Sequence, residues 1–106
     1  MRTHDRMALR PLVIGHRGAP KVTPENTLRS FDTAIGLGAD MIELDVHETA
    51  DGHLVCLHDY TVNRTTDGAG LVSELTLTEI RSLDAGEGER VPLLEEVLDL
   101  ARGRCG

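Results

Sequence analysis

The sequence predicts an α/β fold that opens with a βαβ unit, and three observations predict it. Leu12-Val13-Ile14 is a short apolar run closed by Gly15, the pattern of a buried strand. Leu28, Phe31, Ala34, Ile35 and Leu37 recur with the period of an amphipathic helix. Met41 to His47 alternates apolar and polar residues as a strand does. The connections between the three are short, as a βαβ crossover requires.

The elements follow in order. Residues 1–11 read as a lead-in, basic but without the apolar stretch of a secretory signal. Gly15 to Pro20 is a loop. Asn26 is the expected N-cap of the first helix, and Gly36 and Gly38 its stop. Asp51-Gly52 is a two-residue hairpin signal, with Leu54 to Leu57 as the returning strand. Residues 59–75 form a polar, glycine-containing connection. Thr76 and Glu79 fit a capping box that opens a short helix to about Leu83. Pro92 is expected to start a last helix, with Leu94, Val97, Leu98 and Ala101 on one face and Gly103 as its stop.

The chain has 106 residues, enough for one domain at most. Eleven Lys and Arg against eighteen Asp and Glu give a net charge of −7, the wrong sign for a nucleic-acid binder. Phe31 and Tyr60 are the only aromatics, too few for a base-stacking platform. No apolar run approaches the roughly 18 residues of a membrane span. Cys56 and Cys105 are too few for a disulfide framework, so a cytoplasmic setting is expected.

The chemistry concentrates on few positions. In the strand from Met41 to His47, one face carries Ile42, Leu44 and Val46, and the other Met41, Glu43, Asp45 and His47. A strand after a βαβ crossover is normally buried on both faces. Two carboxylates at i and i+2 in such a strand call for a cation, and a divalent metal with oxygen ligands supplies one. The competing reading is an edge strand whose carboxylates face water. With Asp51 and Gly52 as the two loop residues, opposed hairpin positions sum to 103, which sets His58 opposite Asp45. His16 lies just past the carboxyl end of the first strand, where open α/β sheets and barrels bind ligands. Arg17 follows between Gly15 and Gly18, and arginine recognises phosphate by a bidentate fork. Together these residues suit metal-assisted phosphoryl chemistry with histidines moving protons.

At these residues the chain resembles the amino-terminal part of the glycerophosphodiester phosphodiesterases. The matching stretches are Gly15-His16-Arg17-Gly18, Pro24-Glu25-Asn26-Thr27, Gly38 to Val46, Thr49-Ala50-Asp51-Gly52, His58-Asp59, Arg64 to Gly70 and Val91 to Leu98. They run in order from about 13 to 102. The resemblance implies a TIM-type (β/α)₈ barrel with a small inserted segment after the second strand, here about 47–90 of a truncated domain spanning 12–106. It implies a metal-dependent hydrolase of lipid and glycerol metabolism, cleaving glycerophosphodiesters to glycerol 3-phosphate and an alcohol. By motif position His16 and His58 are the general acid/base pair and Arg17 the phosphate clamp. Glu43 and Asp45 are the ligands of a Ca²⁺ or Mg²⁺ ion. The further family ligand, a glutamate on the next barrel strand, has no match here. A full barrel takes ~250 residues, so this chain is expected to be incomplete, doubtful in activity and prone to self-association. The alternatives are a non-catalytic fragment that binds metal weakly or associates with another chain, and a plain α/β domain.

Overall fold

The structure is a computed structural model that describes residues 13–105. The lead-in expected over 1–11, and Leu12 of the first strand, lie outside the described residues. Strand β1 (Ile14–His16) pairs in parallel with β2 (Met41–Glu43), and helix α1 (Leu28–Gly36) crosses between them. The βαβ unit is therefore present. Strand β3 (Val46–Glu48) pairs antiparallel with β4 (Leu54–Cys56). A 3-10 turn at Val72–Glu74 and helices α2 (Leu77–Arg81) and α3 (Leu94–Ala101) complete the order. The described residues hold two two-stranded sheets and no closed barrel.

Helix α1 begins one residue later than expected. Thr27 is the N-cap, its hydroxyl accepting the Ser30 amide at 3.1 Å. Asn26 instead takes a left-handed conformation with φ 54°, and its side chain turns to the site. The Thr76–Glu79 capping box is present as expected, although α2 stops at Arg81. Pro92 does not open the last helix. Its carbonyl accepts the Cys56 amide at 2.9 Å, which holds it in extended backbone beside β4. The following residue, Leu93, donates its amide to the Glu96 carboxylate at 2.9 Å and starts the turn. Leu98 faces outward, 52% exposed, and Leu100 packs inward in its place.

The strand expected over Met41–His47 is broken. The Arg17 amide donates to the Glu43 carbonyl at 2.8 Å, the last rung of the parallel pairing. The Leu57 amide donates to the Asp45 carbonyl at 2.9 Å, the first rung of the hairpin. The chain changes partners across Leu44, and the alternation slips there. Ile42 and Leu44 pack inward as expected, but Val46 is 38% exposed.

Alternate side chains of β4 feed two cores. Val55 and Leu57 join Val62, Val72, Ile80, Ala85 and Val91. Cys56, on the other side, joins Phe31 of α1 and Val97 of α3, with Ile42 and Leu44 against them. The second cluster covers the outer face of the βαβ unit. The opposite face, with Ile14, His16, Met41 and Glu43, is exposed.

The loop after β1 is held by its backbone. Gly18 sits at φ 84°, and a Cβ there would lie 2.7 Å from the Ser30 carbonyl carbon. Gly18→Ala is therefore expected to cost roughly 2 kcal/mol or more, from left-handed strain plus overpacking. Urea denaturation of the two proteins measures it.

Candidate active site

The hairpin register differs from the expected one by a single residue. Opposed pairs are Val46 with Cys56 and Glu48 with Leu54. The Thr49 amide donates to the His53 carbonyl at 2.8 Å, so the loop has three residues, Ala50, Asp51 and Gly52. Gly52 at φ 84° supplies the left-handed position that a three-residue loop needs. Asp45 consequently stands opposite Leu57, not His58. His58 lies just beyond the pairing. It still shares a cleft of about 660 Å³ with Asp45, His47, Asp59 and Tyr60.

Each candidate histidine is bound to a carboxylate through the same ring atom. His16 Nδ1 is 2.8 Å from Glu43 Oε1, a cross-strand pair fixed by the parallel register. His58 Nδ1 is 2.7 Å from Asp59 Oδ1. A ring that donates from Nδ1 keeps Nε2 as its acid/base atom. The His58 backbone is anchored as well, its carbonyl accepting from His47 Nε2 at 2.9 Å. The His47 ring in turn stacks obliquely on Tyr60, with centroids 4.9 Å apart.

Arg17 follows His16 in the chain. Its φ of 56° is strained for a side-chain-bearing residue. Three hydrogen bonds hold it: its amide to Glu43, and its carbonyl to the Asn26 amide at 3.0 Å and the Ser30 hydroxyl at 3.2 Å. The guanidinium is near two carboxylates, Glu25 Oε2 at 3.5 Å and Asp45 Oδ2 at 3.6 Å. Its Nε is buried and makes no hydrogen bond. Asn26 Nδ2 donates to Asp45 Oδ2 at 3.2 Å, the same oxygen that faces Arg17 Nε.

Four side chains around this centre escaped the sequence reading. Asn26 was read as a cap, and Glu25, Asp59 and Arg64 only as parts of matching stretches. Arg64 donates to both oxygens of Asp59, at 2.9 and 3.1 Å, and to both of Glu25, at 2.9 and 3.0 Å. The Arg64 guanidinium, and then the His58 ring, hold the Asp59 carboxyl well below the usual range. Arg64 likewise lowers Glu25, against a smaller opposing effect of burial. Cys56 plays no nucleophilic part, because burial pushes its thiol up to about 12.

Glu43 and Asp45 are hard oxygen donors of the kind that suits a divalent cation. They fit in kind but not in number. No group of three or more His, Cys, Asp or Glu side chains placed to hold a metal ion occurs among the described residues. No helix among them is long and apolar enough to cross a membrane.

The described residues thus hold two carboxylate-bound histidines and an arginine with a buried donor that makes no hydrogen bond. Comparison with known proteins gives the chain a family. Residues 16–104 match the model of the glycerophosphoryl diester phosphodiesterase family, and the chain belongs to that family, a family of hydrolases. It is 54% identical over 99 residues to the glycerophosphodiester phosphodiesterase of Caldanaerobacter subterraneus, covering 87% of this chain and 41% of that one. It is 40% identical over 94 residues to mouse glycerophosphodiester phosphodiesterase 1, covering 80% of this chain and 28% of the mouse protein. Among solved structures, the Agrobacterium tumefaciens glycerophosphodiester phosphodiesterase superposes with a TM-score of 0.89 at 45% identity. The match covers 92% of this chain and 45% of that one. An Oleispira antarctica phosphodiesterase, solved with the product sn-glycerol-3-phosphate, gives 0.82 at 39% identity, covering 88% and 40%. The chain thus spans less than half the length of these relatives.

A carboxyl lowered in the folded state contributes stability above its unfolded value and loses it as pH falls through the folded value. For Glu25 and Asp59 the contribution is therefore present above about pH 5 and fades below about pH 4, the ordinary carboxylate range. Arg64→Gln is expected to destabilise the chain at pH 7, and the gap from the unsubstituted chain is expected to shrink by pH 3. Urea midpoints at the two pH values measure it.

Proposed function

We propose that this chain is the amino-terminal part of a (β/α)₈ phosphodiesterase that hydrolyses glycerophosphodiesters to glycerol 3-phosphate and an alcohol. In this reading β1 and β2 are the first two barrel strands, and about 47–90 is a segment inserted after the second. The domain runs from 12 to 106 and a lead-in precedes it. The separate core around Val55, Val62 and Ile80 supports the insertion, since that segment packs chiefly on itself. The observation that carries the function is Arg17 Nε, buried without a hydrogen bond 3.6 Å from Asp45 Oδ2, in a chain whose two candidate histidines are each held at Nδ1 by a carboxylate. An unmet buried donor costs about 1–3 kcal/mol, and a phosphoryl oxygen would satisfy it by a charge-assisted bond.

The roles follow from the contacts. Arg17 binds the phosphate and neutralises charge that builds up on its oxygens. His16 and His58, each held at Nδ1, take and return protons at Nε2: one accepts from the attacking glycerol 2-hydroxyl while the other donates to the leaving alcohol, and water then opens the cyclic phosphate with the two roles exchanged. Glu43 and Asp45 would hold a divalent cation, Ca²⁺ or Mg²⁺, with the remaining positions left to water or to groups outside this chain. Such a cation supplies positive charge at the phosphoryl oxygens. The two free cysteines fit a reducing cytoplasm.

The test is a chimera in which residues 1–106 replace the matching segment of the Caldanaerobacter relative. The chimera is expected to release glycerol 3-phosphate, and His16→Ala or His58→Ala to slow it by about 10²–10⁴. Glu43→Ala and Asp45→Ala are expected to raise the metal concentration needed. Unchanged rates in both histidine variants would overturn the assignment. Residues 1–106 alone are expected to hydrolyse little and to self-associate in sedimentation, because Ile14 and Met41 are 56% and 40% exposed. A monomer that turns over like the chimera would contradict the fragment reading.

A further inference from the structure

Two guanidinium groups stand on either side of Glu25, and only one of them is satisfied. Arg64 spends four N–H bonds on two carboxylates, both oxygens of Asp59 and both of Glu25. These partners belong to different loops, one before α1 and one after β4. Arg17 Nη1 approaches Glu25 Oε2 only to 3.5 Å, and its Nε, 3.6 Å from Asp45 Oδ2, makes no hydrogen bond. Two guanidinium forks beside one carboxylate compete for the same pair of oxygens. Arg64 takes both.

We propose that Arg64 is a positioning residue: by holding both oxygens of Glu25 it keeps the Arg17 fork open for a phosphoryl group, and by holding Asp59 it keeps that carboxylate on Nδ1 of His58. The proposal rests on the reading of Arg17 as a phosphate clamp and His58 as a proton carrier. Its physical basis is the planar fork. Neighbours in sequence, His58 and Asp59 meet side by side only if Asp59 is fixed in one rotamer, and two parallel bonds at 2.9 and 3.1 Å fix it. The Glu25 side chain is 15% exposed, so water offers it little in place of Arg64. Without the fork, the nearest cation for Glu25 is Arg17. Asp45 also faces Arg17, at 3.6 Å, but it is tied to Asn26. A lysine keeps the charge and has no fork, so it cannot hold two carboxylates in fixed planes. The low positions of Asp59 and Glu25, each set first by Arg64, agree with this division.

The experiment is nitrogen NMR on the full chain, unsubstituted and as Arg64→Lys, with Asp59→Asn as a second variant. Backbone amide spectra report whether each variant is folded. In the unsubstituted chain neutral His58 is expected in the Nδ1–H form, and the Arg17 Nε–H signal is expected to respond to added inorganic phosphate. In Arg64→Lys the His58 tautomer ratio is expected to fall at least about fivefold, on the scale of a lost charge-assisted bond. The Arg17 Nη–H signals, nearest Glu25, are expected to shift toward a carboxylate-bonded position before phosphate is added. Asp59→Asn is expected to change His58 and leave the Arg17 signal in place. A folded Arg64→Lys chain with unsubstituted His58 and Arg17 signals overturns the proposal. An Arg17 signal that ignores phosphate in the unsubstituted chain, while Arg64→Lys still shifts His58 and Arg17, overturns the clamp reading and upholds the brace.

Discussion

The hydrogen bond from the Arg17 amide to the Glu43 carbonyl carries the parallel pairing one residue past β1. The rest of the site depends on it. Arg17 takes left-handed backbone there, at φ 56°, with its guanidinium near Glu25 and Asp45. On the next-door strand the same register sets Glu43 against His16. Where that pairing ends, the chain changes partners at Leu44 and Asp45 and enters the hairpin. One break in the ladder therefore serves both halves: it ends the parallel pairing, and it brings Asp45 near Arg17 and the residues after β4 to the cleft.

The charge arrangement resolves a conflict in the composition. A chain of net charge −7 repels phosphate as a whole. Locally, Arg17 and Arg64 sit among Glu25, Asp45 and Asp59, and the carboxylates are bound rather than loose. Glu25 and Asp59 are saturated by Arg64, and Asp45 is tied through one oxygen to Asn26. Bound carboxylates neutralise one guanidinium and leave the other with a bare donor. Such a network is worth more than separate surface pairs because each bidentate fork fixes the geometry of the next.

Much of the frame was legible in the residues. The apolar period of α1 and the Thr76–Glu79 capping box are local signals, and local sterics and hydrogen bonding decide them. His16, Arg17, Glu43, Asp45 and His58 stand out in the sequence as candidates because polar groups at strand ends have few structural uses, and the structure sets His16 against Glu43 and Arg17 near Asp45. The hairpin register was not legible. A two-residue and a three-residue loop both fit Asp51-Gly52, and the choice rests on Thr49 and Asp51. The Thr49 hydroxyl bonds Asp51, and Asp51 Oδ1 accepts the Leu77 amide from a distant helix. That bond spans 26 positions, and no local pattern announces it.

The sequence by itself determined the βαβ order, the capping box at Thr76 and Glu79, and the types of residue gathered at the strand ends. Those depend on backbone sterics and on side-chain chemistry, which travel with each residue. Only the tertiary structure decided the partner of each charge. Asn26 left the cap position for Asp45, His58 found Asp59 rather than Asp45, and Arg64 joined two loops 39 positions apart at Glu25. Charge pairing is chosen among all groups within a few ångströms, and folding sets those distances only when the whole chain has packed.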